Sequence, residues 1–276
     1  MGNTTHLWLL YRLQPPAPAA LSWPWIAALL KRLSPRRLLP VLADPDARAA
    51  AETQARLLGR RLPDAMGCRA VFAEGDPSPA QAASEVGSRE RVLLLPMAPQ
   101  SGVGAEALVA EARAALGGRG SVSVIPTLGP GLLLEAQAER VRAALADLPP
   151  GVAYEVIFAA SAPVDAGLAA HIAAAAGLIR PHHLAILPAQ GLGWRANTLG
   201  RRLRDLGARR VSAVVVVGLD SAIDTPALRH LLDVALPAAA RAAGIATVVR
   251  ARPLGDRPTF IRALLAAVAP EDEPIM

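Results

Sequence analysis

The stretch RVSAVVVVGLDSAIDTPA, Arg210–Ala227, decides the reading of the fold. Val211–Val217 is almost wholly β-branched and apolar, which suits a strand covered on both faces, as in the middle of a parallel sheet. The central strand is therefore expected here. In open α/β sheets ligands bind beyond the carboxyl ends of the strands, so Asp220, Ser221 and Asp224 fall where chemistry is expected. Thr225-Pro226 then reads as a helix start, with Thr225 as N-cap and Pro226 at the first helical position.

Outward from that strand the chain alternates between strand and helix signals. Toward the C-terminus, Pro226–Ala243 reads as helix, Ile245–Arg250 as strand and Pro258–Val268 as helix. Toward the N-terminus, Ala196–Leu206 and Val164–Ala176 read as helices, with strands at His183–Leu187 and Tyr154–Ala160. Pro149-Pro150-Gly151 reads as a linker. Before it the same order occurs once more. Strands are predicted at Leu7–Leu13, Arg69–Ala73, Arg91–Pro96 and Ser121–Ile125, and helices at Ala47–Arg61, from Asp76 to about Val86, Gly104–Leu116 and Leu132–Leu148. Each half is thus four β-α units, which implies parallel sheets with right-handed crossovers. The expected fold is α/β: two similar lobes, 1–148 and 152–276, each a parallel sheet flanked by helices, with a cleft between them.

The totals narrow the function. At 276 residues, 53% hydrophobic and 19% charged, the chain has the composition of a folded globular protein. One cysteine, Cys68, excludes an internal disulfide framework and a clustered thiolate metal site, and it points to a reducing, cytoplasmic compartment. The net charge of +6 comes almost entirely from arginine, since Lys31 is the only lysine. Arg201-Arg202-Leu203-Arg204 and Arg209-Arg210 read as solvated helix faces, and no aromatic residues are interleaved to stack on bases, so a nucleic-acid partner is not expected. No apolar run reaches the roughly 18 residues that span a bilayer. Leu21–Leu30 (LSWPWIAALL) has the composition for peripheral membrane contact and equally that of a core-facing or lid helix.

Five segments together resemble ferrochelatases, the enzymes that insert iron into a porphyrin. Arg91–Gln100 (RVLLLPMAPQ) is similar to the family's strand and loop ending in PLYPQ, with Pro96, Pro99 and Gln100 retained. Tyr154–Pro163 (YEVIFAASAP) resembles LLFSAHGLP, and Gln190–Trp194 (QGLGW) a shortened QSRVGPxxWL. Gly218–Thr225 (GLDSAIDT) resembles GFVSDHIET, and Pro253–Ile261 (PLGDRPTFI) the closing LNDxPxFI. The resemblance runs from about Ala47 to Val268. It implies insertion of ferrous iron into protoporphyrin, with Fe²⁺ as a substrate and no tightly bound cofactor. It also implies Asp224 and Ser161 as catalytic positions, Asp224 and Asp220 as metal-binding, and Pro96, Met97, Gln100, Gln190, Trp194 and Ser221 as contacts for a porphyrin or other tetrapyrrole.

The departures from the family pattern touch the chemistry. The SAHG histidine is replaced by Ser161, the glutamate of the ET pair by Asp224, and the SDH aspartate by Ala222 with one residue deleted. The N-terminal NLGGP signature is absent from Leu9–Gln14. Porphyrin metallation requires a base to accept two pyrrole protons, a role suited to histidine or a buried carboxylate. Serine does not supply it, so a catalytic chain would rely on Asp224, with Asp220 assisting. An ordinary helix-start role for Asp224 stands beside that reading. His182-His183 is no natural metal pair, because neighbours on a strand point to opposite faces. His171 is the one histidine that could replace the missing base, and only if its helix is shifted. Trp194 and Trp25 have the shape to lie against a planar ligand, and Met97 to line an apolar pocket or the core.

Two other functions stay open. One is a chelatase relative that binds tetrapyrrole or metal without insertion. The other is dinucleotide binding, because Gly191–Ala196 (GLGWRA) fits G-x-G-x-x-A after a strand and before a helix. Oligomeric state is not legible in the sequence.

Overall fold

The computed structural model describes residues 4–12, 45–73, 75–97, 105–126, 128–160, 163, 165–187, 198–219 and 222–268. The first half contains β1 (Thr5–Tyr11), α1 (Pro45–Gly59), β2 (Met66–Phe72), α2 (Pro79–Ser84), β3 (Arg91–Pro96), α3 (Ala105–Leu116), β4 (Ser121–Val124) and α4 (Pro130–Ala146). The second contains β5 (Tyr154–Ala160), α5 (Ala166–Ala175), β6 (His182–Ile186), α6 (Thr198–Ala208), β7 (Ala213–Gly218) and α7 (Pro226–Arg229). It continues through a π-helical turn, His230–Ala235, into α8 (Leu236–Ala242), β8 (Thr247–Arg250) and α9 (Pro258–Val268).

The strands form two parallel four-stranded sheets, ordered β2-β1-β3-β4 and β6-β5-β7-β8. The valine-rich strand is interior to the second sheet and every residue of it is buried. Its period-2 alternation serves two cores: Val215 and Val217 pack with α4 and α5, whereas Val214 and Val216 pack with α6 and α8. In β1, Leu7, Leu9 and Tyr11 face one layer, while Trp8 and Leu10 face α2 and α3. A strand buried on both sides has no polar face, which is why these strands read as apolar runs.

The two sheets share helices. Phe260, Ile261, Ala263 and Leu264 of α9, from the second half, are buried in the core formed by β1, β2, β3 and α1. In return Ala138, Val141 and Ala144 of α4, from the first half, are buried against β5 and β7. Ala222 and Ile223, just after the central strand, also lie in the first core.

The expected single helix at Pro226–Ala243 is interrupted. Pro237 has no N–H to give the Asp233 carbonyl, and its ring crowds that carbonyl. The helix responds by widening: the Leu236 N–H bonds the Leu231 carbonyl, five residues back, as a π turn does.

Candidate functional site

The carboxyl end of β8 and the loop after it border a hollow of about 1000 Å³, lined by Glu139, Asp224, Asp233, Arg250, Arg257 and neighbours. Asp224 follows the central strand by six residues, and Arg250 ends β8. Their side chains are only 17% and 19% exposed, and they pair: Arg250 Nη1 donates to Asp224 Oδ1 at 3.0 Å and lies 2.9 Å from Oδ2. Arg250 also grips Asp233 of the π turn through Nε and, at 3.0 Å, through Nη2. Burial works against the charge of Arg250, but its hydrogen bonds to the Asp224 and Asp233 carboxylates hold its pKa above the ordinary guanidinium value. Thr225 is the N-cap expected of it, its Oγ1 accepting from Leu228 N at 3.3 Å.

Across the hollow, Arg257 donates to Glu139 at 2.9 Å, and Thr259 Oγ1 donates to the other Glu139 oxygen. The Thr259 hydrogen bond chiefly, with Arg257 adding to it against some burial, holds Glu139 below the usual carboxylate range.

Beneath these pairs lie buried polar side chains that sequence reasoning missed. Arg140 of α4 is 1% exposed; it donates to Gly218 O at 2.8 Å, Ala251 O at 3.2 Å and Gln137 Oε1 at 3.1 Å. Gln137 donates to Leu219 O at 3.4 Å. Gln54 of α1, fully buried, donates to Ala222 O at 3.0 Å and Gly255 O at 2.7 Å while Tyr11 donates to its Oε1 at 2.5 Å. The backbone carbonyls among these acceptors lie at the end of β7 or in the loops that follow β7 and β8. The signal in the sequence is polar residues in an apolar stripe: Gln54 at i+3 from Ala51, and Gln137 and Arg140 at i+4 and i+7 from Leu133.

Of the expected site residues, Asp224 lines the hollow. Pro96 is buried at the end of β3, and Met97, 8% exposed, packs in the first core. Ser161, Gln100, Gln190, Trp194, Asp220 and Ser221 lie outside the described residues, as do Trp25, Leu21–Leu30 and the Gly191–Ala196 glycine motif. His182 meets Phe158 edge-on, and His183 bonds Glu155, so the pair divides between the two faces of the sheet. His171 is exposed on α5, away from the lining of the hollow. Among the described residues no group of three or more His, Cys, Asp or Glu side chains is arranged to hold a metal ion, and no helix is long and apolar enough to cross a membrane.

No family sequence model matches the chain, and no curated protein matches it significantly. Solved structures do match. CbiX, the terminal enzyme for sirohaem biosynthesis in denitrifying bacteria, superposes with a TM-score of 0.51 at 16% identity, covering 99% of this chain and all (100%) of that one. The chain has the chelatase-like fold. SirB from Bacillus subtilis, solved with Fe³⁺, gives a TM-score of 0.52 at 11% identity over 96% of this chain and 94% of that one. A multi-domain protein of Deinococcus radiodurans, structurally similar to chelatases and carrying two additional novel domains, gives 0.56 at 16% identity. That match covers 99% of this chain, which spans about half, 56%, of the Deinococcus protein. The chelatase-like fold is thereby shared across the whole described chain, while the narrower likeness to ferrochelatases rests on the motifs alone.

Proposed function

We propose that this chain is a chelatase relative that binds a tetrapyrrole, or the metal destined for one, at the carboxyl ends of its strands. The observation that carries the reading is the Asp224–Arg250–Asp233 bridge beside the hollow. It stands where open α/β sheets bind ligands, in a chelatase-like fold, on the segment that resembles the family's ET pair. Both Asp224 oxygens face Arg250, so to accept a pyrrole proton Asp224 must first give up one of those contacts. That favours binding over metal insertion. Insertion of ferrous iron into protoporphyrin is the second reading, favoured by Asp224 lining the hollow as the one described carboxylate that the ferrochelatase resemblance selects. We place the protein in the reducing cytoplasm on the strength of Cys68, its single cysteine, whose thiol is pushed up to about 12 by burial.

The test is anaerobic: Fe²⁺, Co²⁺ and Zn²⁺ with protoporphyrin and with sirohydrochlorin, followed by absorbance. An absorbance shift on mixing tetrapyrrole with protein, with metalation no faster than without it, supports the binding reading. Metalation above the uncatalysed rate establishes insertion, and no shift with either tetrapyrrole, together with no Fe²⁺, Co²⁺ or Zn²⁺ retained by the protein on equilibrium dialysis, removes both.

A further inference from the structure

One side chain from the first half of the chain, Gln54 of α1, reaches both loops that contribute to the lining of the hollow. Its amide nitrogen donates to Ala222 O at 3.0 Å, two residues before Asp224, and to Gly255 O at 2.7 Å, two residues before Arg257. The Ala222 carbonyl accepts a second bond, from the Gly255 N–H at 2.9 Å, so the two loops and the helix meet at one point. Tyr11, at the end of β1, donates to Gln54 Oε1 and stacks on Phe72 with ring centroids 5.7 Å apart. A primary amide offers two N–H groups and one oxygen, and all three are engaged here. The hydroxyl fixes which way the amide faces, because a flipped amide would set its oxygen against two carbonyl oxygens. Gln54 and Tyr11 are 0% and 2% exposed, so bulk water does not replace a bond that is lost.

We propose that Gln54, oriented by Tyr11, is a positioning residue for the hollow: it pins the loops after β7 and β8 to each other and to the first half of the chain, and so sets the spacing of the Asp224 and Arg257 sides. Packing alone does not ask for an amide at this place. The other buried residues of α1, Ala47, Ala51, Ala55 and Leu58, are all apolar, and a methionine would fill the same space as Gln54. What the amide adds is a donor for each loop, on carbonyls that lie beyond the strand ladders. The inference rests on the proposed function in taking the hollow for the binding site.

The experiment follows amide hydrogen exchange by NMR in the full-length wild type, in Gln54→Met, which keeps the length and bulk of the side chain without its donors, and in Tyr11→Phe, which keeps the ring without the hydroxyl. The reporter is the Gly255 amide, which closes the junction; the control is the Gly177 amide, bonded to Ala174 O at 3.0 Å just after α5. An amide that exchanges through local opening reports how often its own surroundings open. The expected result is Gly255 exchange faster by about tenfold or more in Gln54→Met, a smaller acceleration in Tyr11→Phe, and an unchanged Gly177 rate in both. A wild-type Gly255 rate in a folded Gln54→Met overturns the proposal and leaves Gln54 a packing residue, as does equal acceleration at Gly177. If Gln54→Met does not fold, Tyr11→Phe decides: faster Gly255 exchange upholds the proposal and a wild-type rate overturns it. A sirohydrochlorin titration of the same proteins reads the consequence for the site. If the wild type gives a saturable spectral shift, Gln54→Met should bind about tenfold more weakly, and an unchanged affinity overturns the positioning role. No shift in the wild type counts against the proposed function and not against this inference, which the exchange rates then decide alone.

Discussion

At Gln54, Gln137 and Arg140 a polar side chain stands where helical spacing assigns an apolar one, and each turns out to bond the carbonyls of a site loop. These positions were readable as exceptions to a stripe, but their partners, 78 to 201 residues away, were not. That Asp224 lies beyond the end of a buried strand was legible; its bond to Arg250 depends on the β7–β8 pairing and left no local mark. Two further side chains give tests at this scale. Burial keeps the Cys68 thiol protonated, so at pH 8 the native protein should react with a thiol reagent far more slowly than the same protein in denaturant. Equal rates would contradict the packing around it. Glu139 is held below its ordinary range in the folded state, so the stability it lends is present above about pH 4.3, its unfolded value, and is lost as pH falls through the lower folded value. The melting temperature of wild type should therefore fall more steeply than that of Glu139→Gln on acidification below about pH 5. Parallel curves would show that the Thr259 and Arg257 contacts contribute nothing in solution.

Among the elements, Gly207 marks the tightest approach. It lies in α6, and a Cβ there would stand 1.8 Å from the Ala243 carbonyl oxygen at the end of α8. Backbone cannot rotate away as a flexible side chain can, so the helices must separate. Gly207→Ala should cost about 2–3 kcal/mol in chemical denaturation, although the same change in a solvated helix stabilises. A neutral or stabilised variant would mean that α6 and α8 do not pack this closely. The strands themselves were the most legible elements: β3 and β5 lie where the apolar runs put them, because burial on both faces leaves nothing to confuse with a half-exposed helix. The π turn was not legible. Its cause, Pro237, acts four residues back, where the sequence pattern reads as ordinary helix.

For the whole molecule, the exchange of α4 and α9 means that neither sheet has its full core without the other half of the chain. The Pro149-Pro150-Gly151 linker reads as the boundary between two lobes, and nothing in composition marks a helix of one for burial in the core of the other. One cooperative calorimetric transition is therefore expected. Phe260→Ala, which empties a fully buried site in the first core, should lower that single transition by about 3–5 kcal/mol without splitting it in two. Two separate peaks, with only one moved by the substitution, would contradict the exchange. The functional proposal meets its most direct test in an anaerobic absorbance titration of the full-length protein with sirohydrochlorin and protoporphyrin. A saturable spectral shift with at least one of them, weakened in Arg250→Gln where the carboxylate bridge is undone, is the predicted result. Spectra that stay those of the free tetrapyrroles at every protein concentration would contradict it.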